Sequence, residues 1–452
     1  MTIAARPQPG PPRDYHFPKF FKKTLDNGVT VIVAPVSKLP LVSVATVIDA
    51  TALADEKGKE GTAELTAQGL REGTAERTGV QLTLEFEMLG TSLETGADWD
   101  STIASMTVLK DRLPKAFKIF ADVLLSPAFR AEDIERLKAE RLAERVQLLD
   151  EPRGLADESF SRFLYSEGSR YAAPMSGSSK SVSAITSGDV ASFYRRNYAP
   201  SATTVILVGD ITLEAGVTLV ESNLGSWSVD RAATKVTADK TQRAERATEL
   251  VAKPDAAQSE VRIGHAGIPR THPDYFRIVV MNAILGGLFS SRINLNLREA
   301  NGYTYGASSY YDWRRQSGPF VISTAVQSEV TGAAISETLK EIARMRGEEV
   351  GQDELTLATS YLEGVFPIRY ETTSAIAAAL TNMVVFGLPA DYFDTYRANI
   401  AAVTTRDVLA AAKAHVNPDL LQVVVVGNPE LVQEQLVSLA NGPLSVREAV
   451  EA

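Results

Sequence analysis

The chain has 452 residues, of which 44% are hydrophobic and 23% charged, a composition typical of a globular protein with a substantial core. Its 56 acidic and 46 basic residues give a formal net charge of −10, which argues against nucleic acid as a main partner. Because the chain has no cysteine, disulfides, thiolate metal sites and a cysteine nucleophile are excluded.

Residues 1–19 are rich in proline and lack the apolar core of a signal peptide. We expect them to form a flexible leader ahead of the folded chain. No run of about 18 apolar residues occurs, so the sequence predicts no membrane span.

Residues 20–228 are predicted to form an N-terminal domain of mixed strands and helices. Asp26-Asn27-Gly28 between two apolar runs is a strong signal for a short hairpin. Period-two and β-branched runs predict strands, whereas a period near 3.6 predicts helices. The predicted strands are Phe20–Leu25, Val29–Pro35, Leu41–Ile48, Ser92–Ala97, Thr102–Leu109 and Thr203–Val208, and the predicted helices are Thr62–Glu72, Gln81–Leu89, Ala116–Leu125, Ala131–Asp150 and Thr186–Tyr198.

Residues 229–255 have little apolar periodicity and are predicted to be an interdomain linker with some strand at its end. Residues 256–452 are predicted to form a C-terminal domain on the same plan. Its predicted strands are Ser259–Ala266 and a pair around Tyr305–Val326, and its predicted helices are Tyr275–Leu285, Ser290–Glu299, Thr331–Arg346, Gln352–Tyr361 and Ser374–Phe386.

One pattern occurs twice in the chain. Thr186–Gly209 and Thr404–Gly427 share Thr, Asp-Val, Pro and Gly at the same spacing, without a gap. Each copy predicts an N-capped helix, a proline turn and a buried strand that ends at glycine. A repeat of this long period indicates two similar folded halves. The predicted fold class is therefore α+β, with two homologous α/β-sandwich domains, each an antiparallel-rich sheet with helices.

Common catalytic motifs are missing. The four histidines are His16, His265, His272 and His415, and no two of them have the helical spacing of a zinc-binding pair. No G-x-S-x-G nucleophile elbow is present. Gly286-Gly287 lacks the Lys and Ser/Thr of a phosphate-binding loop, so nucleotide binding is not expected.

The N-terminal half contains a recognisable but altered signature. Asn27-Gly28-Val29, Gly61–Gln68 and Gly73-Thr74 together resemble the start of the pitrilysin/insulinase metallopeptidases. In that family the inverted zinc motif H-x-x-E-H lies between these landmarks. The matching positions here are Glu64, Ala67 and Gln68, and Glu144 matches the third ligand on the long helix.

These replacements change the chemistry that the resemblance implies. A catalytic zinc needs three ligands and a bound water, and a general base must take the proton of that water. Glu64 and Glu144 keep carboxylates, but the amide of Gln68 is a poor zinc ligand and Ala67 cannot act as a base. We therefore expect no cofactor in this chain and no zinc hydrolysis by this chain alone.

The C-terminal half keeps the family's other motif. Leu285-Gly286-Gly287, followed by Leu297–Tyr305, resembles a glycine turn and then L-R-E-x-x-G-x-x-Y. In the family this motif carries an arginine and a tyrosine that reach the substrate beside the zinc. The match assigns these catalytic roles to Arg298 and Tyr305, and a substrate-binding role to Gly286 and Gly287. A guanidinium and a phenol can both donate hydrogen bonds to the oxyanion that develops on a peptide carbonyl.

The resemblance implies half of a clamshell, built from two repeats, that closes against a second subunit around an unstructured peptide. Lost zinc ligands beside a retained Arg–Tyr pair indicate the non-catalytic subunit of a heteromeric zinc metallopeptidase, with zinc in a homologous partner. Peptide is expected to add as a strand to a sheet edge, at Ser92–Ala97 or after Tyr305.

Two alternatives stay open. Core subunits of the respiratory cytochrome bc complex also resemble this family and act as scaffolds, and a non-cleaving peptide-binding protein is the other possibility. The expected location is the periplasm, with the cytoplasm as the alternative, because many bacterial relatives are exported.

Overall fold

A computed structural model describes residues 14–166, 168–229 and 243–449, which form two domains of similar construction. Each domain has one six-stranded mixed sheet with helices packed against it. The predicted α+β class and the predicted duplication are confirmed.

The first domain contains six strands and eight helices of the described chain. The strands are β1 (Phe21–Thr24), β2 (Thr30–Pro35), β3 (Leu41–Ile48), β4 (Glu94–Ala97), β5 (Thr102–Leu109) and β6 (Thr203–Gly209). The helices are α1 (Thr62–Gly69), α2 (Gly79–Met88), α3 (Leu113–Leu125), α4 (Ala131–Asp150), α5 (Pro152–Leu164), α6 (Ser179–Ala184), α7 (Ser187–Asn197) and α8 (Leu213–Leu224).

The first sheet has the strand order β1-β2-β6-β3-β5-β4. Only β2 and β6 pair in parallel, and the other neighbours are antiparallel. The predicted hairpin joins β1 to β2, and Gly28 in its turn has a φ of +96°, which glycine adopts without strain. This order leaves β4 at an open edge of the sheet.

The second domain repeats this plan. Its strands are β7 (Ala247–Ala252), β8 (Gln258–Ala266), β9 (Ala307–Tyr311), β10 (Pro319–Gln327), β11 (Gln422–Gly427) and β12 (Leu444–Glu448). Its helices are α9 (Tyr275–Asn282), α10 (Arg292–Asn294), α11 (Thr331–Gly347), α12 (Gln352–Arg369), α13 (Thr373–Phe386), α14 (Tyr392–Ala401), α15 (Thr405–His415) and α16 (Pro429–Leu439). The strand order is β12-β7-β11-β8-β10-β9, so β9 occupies the edge that β4 occupies in the first sheet.

The sequence repeat forms the same structure in both domains. The Thr186 hydroxyl accepts a hydrogen bond from the backbone N–H of Asp189, and the Thr186 N–H donates one to the Asp189 carboxylate, a capping box that starts α7. Thr404 and Asp407 form the same box at α15. Each helix leads through a proline turn to a central strand, β6 or β11.

The two domains exchange a helix. From the first domain, α5 packs on β8 and β11 of the second sheet, where Leu155, Phe160 and Phe163 join a buried cluster with Val424 and Val426. In return, α13 of the second domain packs on β3 and β6 of the first sheet. Neither sheet is fully covered by helices of its own domain, so the two halves depend on each other for their cores.

The start of the described chain corrects part of the predicted flexible leader. Residues 1–13 lie outside the described residues, but Phe17 is 6% exposed and belongs to the core of the second domain. Its ring stacks on Phe393 with centroids 4.0 Å apart, and the Tyr15 ring lies edge-on to Phe366. Aromatic side chains within the proline-rich stretch therefore fix residues 14–17 to the folded protein.

The predicted linker 229–255 is also too long at its C-terminal end. Residues 230–242 lie outside the described chain, whereas β7 runs through Ala247–Ala252 between β12 and β11. All six residues of β7 are buried. The strand was only partly anticipated because its neighbours in the sheet, β11 and β12, come much later in the chain.

One described stretch, Tyr275–Ala300, is long and apolar enough to cross a membrane, contrary to the expectation that none would be found. It includes α9, the Gly286-Gly287 turn and α10, and 61% of its apolar window is buried inside the protein. Ile278, Leu285 and Leu297 are fully buried in the second domain. A core segment of a folded domain has this composition, so the stretch does not establish a membrane span.

Candidate functional site

Helices α1 and α4 carry the four positions that match the family's zinc motif. The N-terminus of α1 is held by Asp55, whose carboxylate accepts hydrogen bonds from the N–H groups of Gly61 and Ala63, both at 2.8 Å. Burial raises the pKa of Asp55, and the nearby Arg170 guanidinium opposes that rise. α1 packs between α4 and the edge strand β4, so its side chains lie next to the open edge of the first sheet.

An arginine lies between the two surviving carboxylates. Arg141 on α4 donates from Nη2 to Glu64 Oε1 at 2.6 Å, and its Nη1 lies 2.9 Å from Glu144 Oε2. Gln68 also donates to Glu64 Oε1, at 3.3 Å. Ala67 is buried and offers no polar atom. The structure thus brings Glu64, Gln68 and Glu144 around a guanidinium, a cation that the motif analysis missed.

These residues do not fit a zinc ion. The Arg141 guanidinium already hydrogen-bonds one oxygen of Glu64, and its positive charge repels a second cation at that distance. Ala67 leaves no general base, and Gln68 offers only an amide. The other oxygen of Glu64, Oε2, is buried without a hydrogen-bond partner among the described residues. The spacing of Arg141, one helical turn before Glu144, was the sequence signal that could have predicted this pair.

The glycine turn of the second domain has a packing role. Gly286 ends a wide helical turn after α9, and a Cβ on it would lie 2.4 Å from Ser309 Oγ on β9. Asn282 donates from Nδ2 to the Ser309 carbonyl at 2.9 Å and accepts from the Ser309 hydroxyl at 2.7 Å. Gly286 and Gly287 therefore let the end of α9 approach the edge strand β9. Both also line a cavity of about 370 Å³ beside it.

Tyr305 and Arg298 both lie near an exposed phenylalanine, Phe289. Tyr305 is 91% exposed and lines the same 370 Å³ cavity as Phe289. The Arg298 guanidinium lies 4.6 Å from the centroid of the Phe289 ring, and its Nε is 3.5 Å from Glu299. No direct contact joins Arg298 to Tyr305 among the described residues. Phe289, 68% exposed, is the residue that sequence reasoning missed.

Both predicted peptide-binding edges are open edges of the described sheets. β4, within the predicted Ser92–Ala97, is the last strand of the first sheet, and β9 follows Tyr305 at the edge of the second. The hollow along β4 is about 200 Å³ and is lined by Glu94–Asp98, Ile103 and Ser105. An extended peptide pairs with such an edge through its backbone alone.

The fold also joins two histidines that are far apart in the sequence. The rings of His272 and His415 have centroids 4.9 Å apart, and His415 Nε2 lies 2.8 Å from Asp274 Oδ2. The hydrogen bond with His415 lowers the pKa of Asp274, and Arg277 adds to this effect. Potential ligand atoms of the three residues lie within 4.8 Å of one another. The cluster is a hydrogen-bond network in this structure, because both oxygens of Asp274 already have partners, Arg277 and His415.

Comparison with protein families matches both halves of the chain. Residues 31–172 match the family described as Insulinase (Peptidase family M16), and residues 184–362 match the family described as Peptidase M16 inactive domain. The inactive-domain model covers residues of the second half and does not include Glu64, Ala67 and Gln68, which lie in the range of the first match. The two matches together span most of the described structure.

Individual relatives agree with this assignment. An uncharacterized zinc protease of Mycobacterium tuberculosis is 24% identical over 394 residues, 87% of this chain and 90% of the relative. One from Streptomyces coelicolor is 24% identical over 349 residues, 76% of each chain.

Solved structures show the same fold. The crystal structure of a peptidase M16 inactive domain from Pseudomonas fluorescens superimposes with a TM-score of 0.85 and 26% identity, covering 91% of this chain and 98% of that one. A protease from Helicobacter pylori gives a TM-score of 0.80 at 18% identity, covering 91% and 100%. These neighbours confirm the expected architecture, two α+β domains that form half of a clamshell. The matched family models and the shared architecture lead to one conclusion: the chain belongs to peptidase family M16, the insulinase family.

Proposed function

We propose that this chain is the non-catalytic subunit of a heteromeric zinc metallopeptidase. It supplies Arg298 and Tyr305 to the active site of a zinc-bearing homologous partner and helps to bind unstructured peptides. The observation that carries this proposal is the exposed phenol of Tyr305, which has no hydrogen-bond partner among the described residues. A tyrosine retained in the family motif and left without an internal partner is available to a substrate outside its own subunit.

The chemistry of the pair suits peptide hydrolysis in the partner. When water attacks a peptide carbonyl, negative charge develops on its oxygen, and preorganised donors stabilise that charge. The Tyr305 hydroxyl can donate one hydrogen bond, and the Arg298 guanidinium can donate others. Arg298 is partly exposed, and its only ionic contact among the described residues is the long one to Glu299, so a bound peptide can redirect it at little cost.

The surface around the pair suits an interface. Phe289, Leu295 and Tyr305 are large apolar or aromatic side chains that remain at least 45% exposed beside the glycine turn. Exposed groups of this kind mark interaction sites, and interfaces are enriched in aromatic residues and arginine. In this chain the Arg141 guanidinium lies between Glu64 and Glu144, where a family member would hold zinc. The partner must therefore bring the metal.

The test is a reconstitution assay with a purified zinc-bearing M16 subunit and a fluorogenic peptide. We expect hydrolysis in the mixture, and a fall in kcat of about 100-fold for Tyr305→Phe or Arg298→Ala in this chain, since one oxyanion donor contributes about 3 kcal/mol. Tyr361→Phe and Arg406→Ala, on exposed residues elsewhere in the second domain, are the matched controls and are expected to leave the rate unchanged. Equal rates for all four variants would exclude the role in trans.

A non-cleaving peptide-binding protein remains the second candidate. It is supported by the same open edges at β4 and β9, which need no metal to pair with an extended chain. Peptide affinity measured with and without the zinc-bearing subunit separates the two functions. Tight binding by this chain alone, with no acceleration of cleavage in the mixture, would favour the second candidate.

A further inference from the structure

A second cavity, of about 510 Å³, lies in the second domain away from Tyr305. It is enclosed by β9, the loop that follows it, the N-terminus of α9, the C-terminus of α12, and helices α13 and α14. Aromatic rings form most of its wall, including those of Tyr275, Tyr310, Trp313, Tyr370 and Tyr392. It shares no lining residue with the cavity at Tyr305. Ligand sites in proteins are commonly concave, aromatic and of this volume.

The cavity contains a buried arginine without an acidic partner. Arg270 is 7% exposed, and its guanidinium lies 3.5 Å from the centroid of the Tyr275 ring. Its Nη2 donates to the Tyr392 hydroxyl at 2.6 Å. No carboxylate lies within ion-pair distance of Arg270 in the described part of the chain. Aromatic faces offset some of the cost of burying this charge, but a buried guanidinium normally has an anionic partner.

The other charges on the cavity wall increase its positive character. Arg369 lines the opening and is exposed. Asp312 is the one carboxylate among the lining residues, and Arg314 holds it through hydrogen bonds from Nη2 at 2.5 Å and Nε at 3.0 Å. Asp312 is therefore neutralised from outside the cavity. Burial raises the pKa of Tyr370 and of Tyr392, so both phenols stay neutral and can donate hydrogen bonds.

We propose that this aromatic cavity binds the C-terminal residue of a peptide, with the free carboxylate paired to Arg270 and Arg369 and an aromatic or large apolar side chain packed against the ring wall. The guanidinium supplies the planar donor geometry that suits a carboxylate. The rings supply the apolar surface, and the volume accommodates about one residue of that size. The proposal goes beyond the role of Arg298 and Tyr305 and does not depend on it.

The test uses the whole chain without any partner and a fluorescein-labelled tetrapeptide of three glycines and a C-terminal phenylalanine. Binding is measured by anisotropy for the free acid and for the same peptide with a C-terminal amide. Quenching of Trp313, with Trp313→Phe as the reference, reports whether the ligand enters this cavity. We expect the acid to bind, to quench Trp313 and to bind at least about tenfold more tightly than the amide, because a charged hydrogen bond is lost in the amide.

Two variants probe the guanidiniums. Arg369→Gln changes an exposed side chain, so the variant is expected to fold normally. Its affinity for the free-acid peptide should fall about tenfold, and its affinity for the amide peptide should not change. Arg270→Lys keeps the positive charge but loses the planar guanidinium, and it should lower the affinity for the free-acid peptide more than Arg369→Gln does. Arg406→Gln, 89% exposed at its side chain, is the matched control and should change nothing.

Equal affinities of acid and amide, the absence of binding, or an unchanged affinity in both cavity variants would overturn the proposal. None of these results would bear on hydrolysis by the reconstituted enzyme, so the two proposals can fail separately.

Discussion

The two exchanged helices cover equivalent sheet faces with different chemistry. α5 uses large side chains, such as Phe160 and Phe163, and adds charged contacts, including Asp157 with Arg262 at 2.5 Å. α13 has a run of alanines at 377–379 between the larger buried residues Ile376 and Leu380, and it contacts the first sheet through a hydroxyl pair. A groove of about 770 Å³ lies between α13 and strands β3 and β5.

This difference indicates which contact between the domains is rigid. A closely packed, ion-paired helix cannot shift without losing several interactions at once. A helix with small side chains beside a groove can shift or accept a neighbour at lower cost. We therefore expect α5 to fix the two domains together and α13 to tolerate change, and five tests of this contrast follow, of which the first has the largest expected effect.

The largest effect is expected from Phe160→Ala. Phe160 is 2% exposed and its ring packs over Gly264 of β8, where a Cβ would come within 3.1 Å of it. Removing the ring leaves a cavity at the domain junction and should cost about 3–5 kcal/mol of unfolding free energy. Urea or thermal unfolding measures the loss. Val437→Ala on α16, 61% exposed, is the control, and a loss as small as that of the control would show that α5 is not the rigid contact.

The second largest loss of stability is expected from breaking the charged contact between α5 and Arg262. Arg262 is 1% exposed, and Arg262→Met leaves the carboxylate of Glu260 without its cation. We expect a cost of about 2–3 kcal/mol, at the low end for a buried pair because Asp157 is half exposed. The second substitution Glu260→Gln should restore part of the loss. Failure of that rescue would mean that the cost arises from packing and not from charge.

The matching polar contact of α13 is the hydroxyl pair of Ser43 and Thr373, 2.9 Å apart. Ser43 also pairs with Thr107, so it keeps one partner when Thr373 is replaced. Thr373→Val is therefore expected to cost less than about 1 kcal/mol. If Thr373→Val lost more unfolding free energy than Arg262→Met, α13 and not α5 would be the more rigid contact.

A fourth test adds volume to each helix. Ala156 on α5 is fully buried, so Ala156→Leu should overpack the junction and cost about 1–3 kcal/mol. Ala378 on α13 is exposed and lines the groove, so Ala378→Leu should change stability by less than about 1 kcal/mol. The two substitutions are chemically identical, and each serves as the other's control. Equal losses in thermal unfolding would show that the groove does not provide free space.

The smallest effect concerns pH at the α5 side of the junction. Asp100 accepts a hydrogen bond from the Arg315 N–H in the β9–β10 loop, at 3.0 Å. Burial raises the pKa of Asp100 from 3.8 to about 6. The folded protein therefore holds a proton there that the unfolded chain has released, so stability should fall as pH rises from about 4 to about 6.

Asp100→Asn tests this linkage, because the amide keeps an acceptor and removes the charge. A shift of this size corresponds to at most about 3 kcal/mol, and we expect a gain of about 1 kcal/mol at pH 7. The gain should vanish below pH 4. Asp391→Asn, on an exposed residue before α14, is the control. A variant that is less stable than the parent at pH 7 would contradict the assignment.

Local patterns predicted much of the fold. The N-capped helices that start after Thr186 and Thr404, the hairpin at Gly28 and the repeated strands β6 and β11 depend on residues close together in sequence, and all were predicted. The exchange of α5 and α13 could not be predicted, because the sheet that each helix covers belongs to the other half. Helix α5 itself was overlooked, although its apolar residues, among them Leu155, Phe160 and Phe163, recur at helical spacing.

The candidate site shows the same division. The altered motif at Glu64, Ala67 and Gln68 could be recognised from its spacing, and so could Arg298 and Tyr305. The pair of Arg141 with Glu144 could have been predicted from their spacing on α4, but the contact of Arg141 with Glu64 depends on the distance between two helices, which the sequence does not give. His272 and His415 were treated as isolated for the same reason.

The guanidinium between Glu64 and Glu144 has a consequence for how the protein is made. A metalloprotein leaves the ribosome incomplete and must wait for an ion, so its yield follows the cell's supply and chelators can strip it. Here the positive charge is encoded in the gene and arrives with the chain. Under the proposed function, such a chain would reach its folded state during metal starvation and then await a zinc-bearing partner.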